Sequence, residues 1–118
     1  NGVVTIKLGE MAIKAGITME SINELGLAEG KEAYAIIKAT NVMFATQKIA
    51  RISARNQLAG KVVAVKKGAV NGHVTIELAD GNKVSGSITN AAIEDLGLAE
   101  GAEAWAIIKA TDVIVGVE

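Results

Sequence analysis

The 118 residues contain no cysteine and no proline. Without thiols there is no disulfide, no thiolate zinc site and no cysteine nucleophile. His73 is the single histidine, and with neither cysteine nor a second histidine a typical zinc site cannot be assembled; it reads as a surface or contact residue. Aromatics are limited to one Phe, one Tyr and one Trp, and the formal net charge is −1 with a pI near 5.9. Single-stranded nucleic acid needs a basic groove with stacking rings, so no nucleic-acid partner is expected. No apolar run approaches the roughly 18–20 residues of a membrane span, and no signal peptide is visible, so a cytoplasmic protein with no membrane partner is expected. No nucleophile and base, and no metal constellation, stands out, so an enzyme is not expected. With no broad field of positive charge, any bound anion must be held by a local set of donors.

What the chain does contain, it contains twice. NGVVTIKL at Asn1–Leu8 returns as NGHVTIEL at Asn71–Leu78, and ELGLAEGKEAYAIIKATNV at Glu24–Val42 returns as DLGLAEGAEAWAIIKATDV at Asp95–Val113. The offset is 70 residues at Asn1/Asn71 and 71 at Ile17/Ile88, which places an insertion at a hairpin tip near Asp80–Asn82. Copy two is preceded by RISARNQLAGKVVAVKKGAV, Arg51–Val70, and copy one by nothing comparable. A period near 70 suits a small domain better than a solenoid repeat. The expected organisation is therefore residues 1–50 as a first, incomplete unit and residues 51–118 as a second, complete one. Small units bury a limited fraction of their surface, which favours oligomerisation or intertwining.

Thirteen glycines and many Val and Ile residues predict short strands with tight turns. Val74, Ile76 and Leu78 alternate with Thr75 and Glu77, ADGN turns the chain, and Lys83–Ile88 continues as a second strand. Copy one repeats this as a shorter hairpin. Thr18 and Thr89 stand where N-caps belong and Gly26 and Gly97 where helices stop, giving two turns of helix per copy. EAYAIIKA and EAWAIIKA read as strands, followed by last strands at 42–46 and 113–117, and 57–67 reads as a longer strand. Strand, hairpin, short helix, strand, strand is the order of an OB-like five-stranded Greek-key barrel. The fold class is all-β with short helices, in tandem, with residues 51–118 supplying every strand and residues 1–50 lacking the first. Residues missing before Asn1, or a strand from a neighbouring subunit, would fill that gap.

Thr18 and Ser21, at N-cap and N3 of the first helix, set two hydroxyls beside unpaired N–H groups at the positive helix end. Such an end suits an anion, although Thr18 taken alone reads first as the cap of its own helix. Lys38 and Lys109 end strands in KAT, where lysine is usually a solvated charge. Ser53, Arg55 and Asn56 form a polar strand entry. Tyr34 and Trp105 hold equivalent positions suited to packing at a barrel end or subunit contact.

Taken in order, SARNQLAGKVV, the KKGAVN turn, IT followed three residues from the threonine by serine, LGLAEG and IIKAT resemble the Mop or molbindin family of small cytoplasmic molybdate-binding proteins. The related Mop/TOBE-type domain of molybdate-responsive regulators and transporter ATPases is similar. The tandem resembles the two-copy form often called a di-Mop. The resemblance implies an OB-like barrel, a homo-oligomer (a trimer of tandem chains, hexamer-like), and molybdate or tungstate held at subunit interfaces for storage and homeostasis. It also implies the site residues: Ser53 and Arg55, with Asn56 nearby, opposite Thr18, Ser21, Lys38 and Ala39. In copy two Thr89, Lys109 and Ala110 match, but Ala92 replaces Ser21, so the Thr18 site ranks higher. A second kind of site is implied around the KKGAVN turn, at Lys67, Gly68, Val70 and Asn71, with Asn1 in copy one, where backbone donors would serve. Molybdate carries only acceptor oxygens and these residues are donors. The alternative is an oxyanion-sensing regulatory domain of a molybdate-responsive transcription regulator or transporter ATPase.

Overall fold

The computed structural model describes residues 1–118. Copy one opens with an antiparallel hairpin, β1 (Gly2–Leu8) against β2 (Met11–Ile17), in register from Gly2↔Ile17 to Leu8↔Met11. Gly9, with φ +65, supplies the left-handed residue that its two-residue turn requires. Thr18 caps α1 (Met19–Glu24), then β3 (Tyr34–Ile36), a 3-10 turn at Ala39–Asn41 and β4 (Met43–Ala45) complete the copy. Copy two adds a long strand in front, β5 (Asn56–Lys67), before its hairpin β6 (Asn71–Leu78) and β7 (Lys83–Thr89). The turn Ala79–Asn82 between β6 and β7 holds the one-residue insertion at the hairpin tip. α2 (Asn90–Asp95), capped by Thr89, leads to β8 (Glu103–Ile108), a 3-10 turn at Ala110–Asp112 and β9 (Ile114–Gly116).

The copies trade their last strands. The five-stranded sheet has the order β4-β8-β5-β6-β7, so its edge strand β4 comes from copy one, and β9 of copy two leaves to pair with β3. The sequence assigned all five strands to residues 51–118; the sheet instead takes β4 where β9 was expected. β4 and β9 follow the same KAT turn and carry the same alternation of side chains, so either can close either edge.

One apolar core results. Ile13, Ala15 and Val42 of copy one are buried in the same cluster as Leu58, Val62, Val74, Ile76 and Ile108 of copy two. Burial is uneven between the copies, for a topological reason. Val74, Ile76 and Leu78 are 0%, 0% and 3% exposed, whereas their equivalents Val4, Ile6 and Leu8 are only half-buried. β5 pairs with β6 on one side and β8 on the other, and no strand lies between β1 and β3. β3 is accordingly three residues long where its counterpart β8 has six.

Candidate functional site

Each short helix starts at a threonine in extended geometry, φ −75 and ψ 152 at Thr18 and φ −70 and ψ 150 at Thr89. Thr18 Oγ1 accepts the Ser21 N–H at 3.1 Å and lies 3.0 Å from Ser21 Oγ, to which it donates. That leaves the Ser21 hydroxyl hydrogen free to donate elsewhere. Thr89 Oγ1 accepts the Ala92 N–H at 3.1 Å, and there is no second hydroxyl beside it.

The entry to β5 is fixed by two amides. Lys14 N–H donates to Asn56 Oδ1 at 2.7 Å and Asn56 Nδ2 donates to the Lys14 carbonyl at 2.8 Å. Gln57 does the same on its other side, accepting the Ile49 N–H and donating to the Ile49 carbonyl, both at 2.8 Å. Asn56 is 3% exposed with both polar atoms committed to β2. Its side chain therefore holds the neighbouring Ser53 and Arg55 in place, and one of its two Nδ2 hydrogens has no partner within the chain. Ser53 and Arg55 are exposed, and the only bond from the guanidinium is to the Ile52 carbonyl at 3.3 Å.

Strand register then brings the two copies together. Asn56 pairs with Ile108, so the entry carrying Arg55 adjoins the strand end carrying Lys109 and Ala110. The same turn rests on β2: a Cβ added to Gly16 would stand 3.7 Å from Thr111 Cγ2 and 3.9 Å from the Ala110 carbonyl. Gly16 is two residues before Thr18. Ser53, Arg55, Lys109 and Ala110 thus share one end of the molecule with the strand that runs into Thr18 and Ser21. The mirror arrangement sits at β7, where Gly86 meets Val42 and Phe44 and the turn after Lys38 and Ala39 leads toward Thr89. Within one chain, then, the turn after Lys109 packs on the strand that leads to Thr18, and the turn after Lys38 on the strand that leads to Thr89.

No carboxylate lies within ion-pairing distance of Lys38, Lys109 or Arg55, since the one salt bridge joins Lys67 Nζ to Glu94 at 3.7 Å. Arg55 and Lys109, without a carboxylate partner, give the end of the molecule that carries Thr18 and Ser21 a donor-rich surface, while Lys38 lies by β7. It is open: none of these residues lines any of the three depressions in the chain.

The second-type residues surround a tight turn. Gly68 N–H bonds to the Asn71 carbonyl at 2.8 Å, Val70 is 71% exposed, and Asn1 is exposed. Asn90, which sequence reasoning missed, ties this turn to α2 by donating Nδ2–H to the Gly68 carbonyl at 2.9 Å and its N–H to the Val70 carbonyl at 2.8 Å. Its Oδ1 has no partner. The ammonium of Lys67 is drawn toward Glu94, away from the free set of charges.

Tyr34 is half-exposed on β3, its hydroxyl bonded to the Glu118 carboxylate. That bond first, then desolvation and the nearby Glu32 charge, raise the phenol above its ordinary value near 10. Trp105 is half-buried and lines a shallow depression with Ala59 and Leu78. No group of three or more His, Cys, Asp or Glu side chains is placed to hold a metal ion. No helix is long and apolar enough to cross a membrane.

Comparison with known proteins gives a consistent set. The TOBE domain matches residues 1–44 and again residues 52–115. The molybdenum transport protein ModE of Azotobacter vinelandii is 41% identical over 115 residues, covering 97% of this chain and 43% of that protein. Molybdenum-pterin-binding protein 3 of Clostridium pasteurianum is 59% identical over 64 residues, 54% of this chain and 94% of that protein. Among solved structures, the cytoplasmic molybdate-binding protein ModG with molybdate bound superposes with a TM-score of 0.86 at 44% identity, over 91% of this chain and 77% of that one. The chain spans less than half the length of the ModE relative.

Proposed function

Because the chain belongs to the TOBE domain family, and within it to the molybdenum-pterin-binding proteins, we propose that it binds molybdate as a non-catalytic carrier in the cytoplasm, holding the anion for storage and homeostasis. Tungstate, with the same tetrahedral charge and acceptor oxygens, is the second ligand of this reading. The observation that carries it is the convergence of unpaired donors from both copies: Ser53, Arg55, Lys109 and Ala110 around the strand end of Thr18 and Ser21. A tetrahedral dianion offers only acceptors, and hydroxyl, ammonium, guanidinium and backbone N–H groups are donors. Charge-assisted hydrogen bonds contribute roughly 1.5–3 kcal/mol each, so a handful offsets the desolvation of the anion without a metal or a covalent step. The relatives are named for molybdenum transport and molybdate or molybdenum-pterin binding.

The openness of this surface supports a site closed by a second subunit, in a homo-oligomer such as a trimer of tandem chains. The weaker site is Thr89 with Lys38 and Ala39, where Ala92 stands in place of the second hydroxyl. The turn at Lys67, Gly68, Val70 and Asn71, with Asn1, remains a candidate second-type site through its backbone donors.

Calorimetric titration of molybdate, tungstate and sulfate into the purified chain tests the proposal. Saturable binding of the first two is expected; heat from none of them refutes the oxyanion function. A second reading rests on the ModE relative, in which the matched region is 43% of the protein. There the same site would serve as the sensing domain of a larger regulator. A DNA-binding or ATPase segment encoded in frame with this one would decide for sensing over storage.

A further inference from the structure

Positive charge is not spread evenly along the chain. No Asp or Glu stands between Glu32 and Glu77, and that stretch holds seven of the twelve Lys and Arg residues. Three of the seven, Lys48, Arg51 and Arg55, fall in the irregular segment 46–55 that joins β4 to β5. The segment is anchored at several points. Gln57 clamps Ile49 through both its N–H and its carbonyl at 2.8 Å, Ala54 is 4% exposed, and the Arg55 guanidinium donates to the Ile52 carbonyl at 3.3 Å. Lys48 and Arg51 sit on either side of the Ile49 clamp, both exposed and neither paired with a carboxylate.

The clamp decides which end of the molecule these two cations serve. Gln57 pairs with Ile107 and Asn56 with Ile108, so Ile49 is held beside the strand end that carries Lys109. Arg55, Lys109 and the strand running into Thr18 share that end. Charge there is otherwise close to balanced: Lys14, Arg55 and Lys109 stand against Glu20 in the first turn of α1 and Asp112 in the turn after Lys109. That leaves a surplus of one positive charge, and Lys48 with Arg51 raises it to three. Because the whole chain carries a net charge of −1, the balance over the rest of the molecule is negative. An approaching dianion is therefore drawn to this end and repelled elsewhere.

We propose, given the molybdate site put forward for this chain, that Lys48 and Arg51 are steering residues: they raise the rate at which the dianion reaches the donors around Thr18 and do not touch it once bound. Charges outside the contact shell act through a long-range field, which speeds encounter without adding a bond that must break on release. Salt removes such an effect, since the field reaches about 30 Å at 0.01 M ionic strength and about 3 Å at 1 M.

Association and release are measured separately on the whole chain. Calorimetry gives the dissociation constant for molybdate, chasing radiolabelled molybdate with unlabelled anion gives the release rate, and the release rate divided by the dissociation constant gives the association rate. In the double variant Lys48→Gln, Arg51→Gln, association at about 0.01 M ionic strength is expected to slow about threefold or more with release unchanged, and the difference is expected to vanish at about 1 M sodium chloride. The melting temperature is expected to stay that of the unaltered chain, both side chains being exposed. The swap Lys48→Arg, Arg51→Lys keeps both charges and is expected to associate as fast as the unaltered chain. An association rate that the glutamine pair leaves unchanged at low salt overturns the proposal. So do a loss that persists at 1 M salt, faster release, which would make one of the two a direct contact, and a charge-keeping swap as slow as the glutamine pair. Absence of molybdate binding by the unaltered chain is a separate failure, which removes the oxyanion reading itself and the steering role with it.

Discussion

Arg55 and Asn56 are adjacent and do opposite work. Asn56 is buried with both amide atoms on the Lys14 backbone, so Asn56→Ala leaves the part-buried Lys14 N–H and carbonyl without this partner, at a cost of about 1–3 kcal/mol. The expected outcome is a clear drop in the urea midpoint. Arg55 is exposed with one 3.3 Å bond to Ile52, so Arg55→Ala is expected to change stability by no more than about 0.5 kcal/mol. The same change is expected to weaken molybdate binding by about ten- to a hundredfold, the equivalent of one charge-assisted bond. A large loss of stability without loss of binding would reverse these assignments. Tyr34 gives a pH-dependent signal, and it is the only tyrosine. Its phenol is raised by the bond to Glu118, so the neutral form is favoured in the folded state. The stabilisation it gives is complete below the ordinary value near 10 and is lost as pH rises through the raised value. Alkaline ultraviolet titration of Glu118→Gln is expected to return the midpoint toward the ordinary value; an unchanged midpoint would exclude the bond as the cause.

Among strands and turns, the exchange of β4 and β9 makes the closest test. A Cβ at Gly86 would lie 2.5 Å from Phe44 Cε2 and 3.0 Å from Val42 Cβ, both from the other copy, whereas one at Gly16 meets nothing nearer than 3.7 Å. Gly86→Ala is therefore expected to destabilise by about 1–3 kcal/mol through overpacking, and Gly16→Ala far less. Equal melting temperatures for the two variants would deny that copy one packs on β7. Much at this level was legible beforehand. The alternation in 74–78, the threonine caps and the hairpin-tip insertion all stand where local chemistry put them, because a period of two and a cap depend only on nearby residues. Strand exchange was not legible: when two repeats carry nearly the same strand, hydrophobic pattern cannot say which copy it pairs with. The packing of the turn after Lys109 on β2, and of the turn after Lys38 on β7, goes with that exchange and was hidden with it. The brackets made by Asn56 and Gln57, and the tie made by Asn90, leave no periodic trace because each joins a side chain to a distant backbone.

Across all 118 residues, one core containing Ile13, Ala15 and Val42 together with the second copy predicts one cooperative unfolding transition in place of two. Calorimetric and van't Hoff enthalpies should agree, and two resolved transitions would contradict the shared core. The same interlocking bears on the proposed anion site in a chain of net charge −1: Arg55 and Lys109, flanking β5 and β8, share one end of the molecule with the strand that leads to Thr18, and no carboxylate is paired to them. Molybdate titration of Lys109→Ala against Lys38→Ala tests this assembly most directly. The arrangement predicts that Lys109→Ala weakens the tightest site by about tenfold or more while Lys38→Ala leaves it intact. Loss of that site in Lys38→Ala with Lys109→Ala unaffected, or no molybdate binding by the unaltered chain, would contradict it.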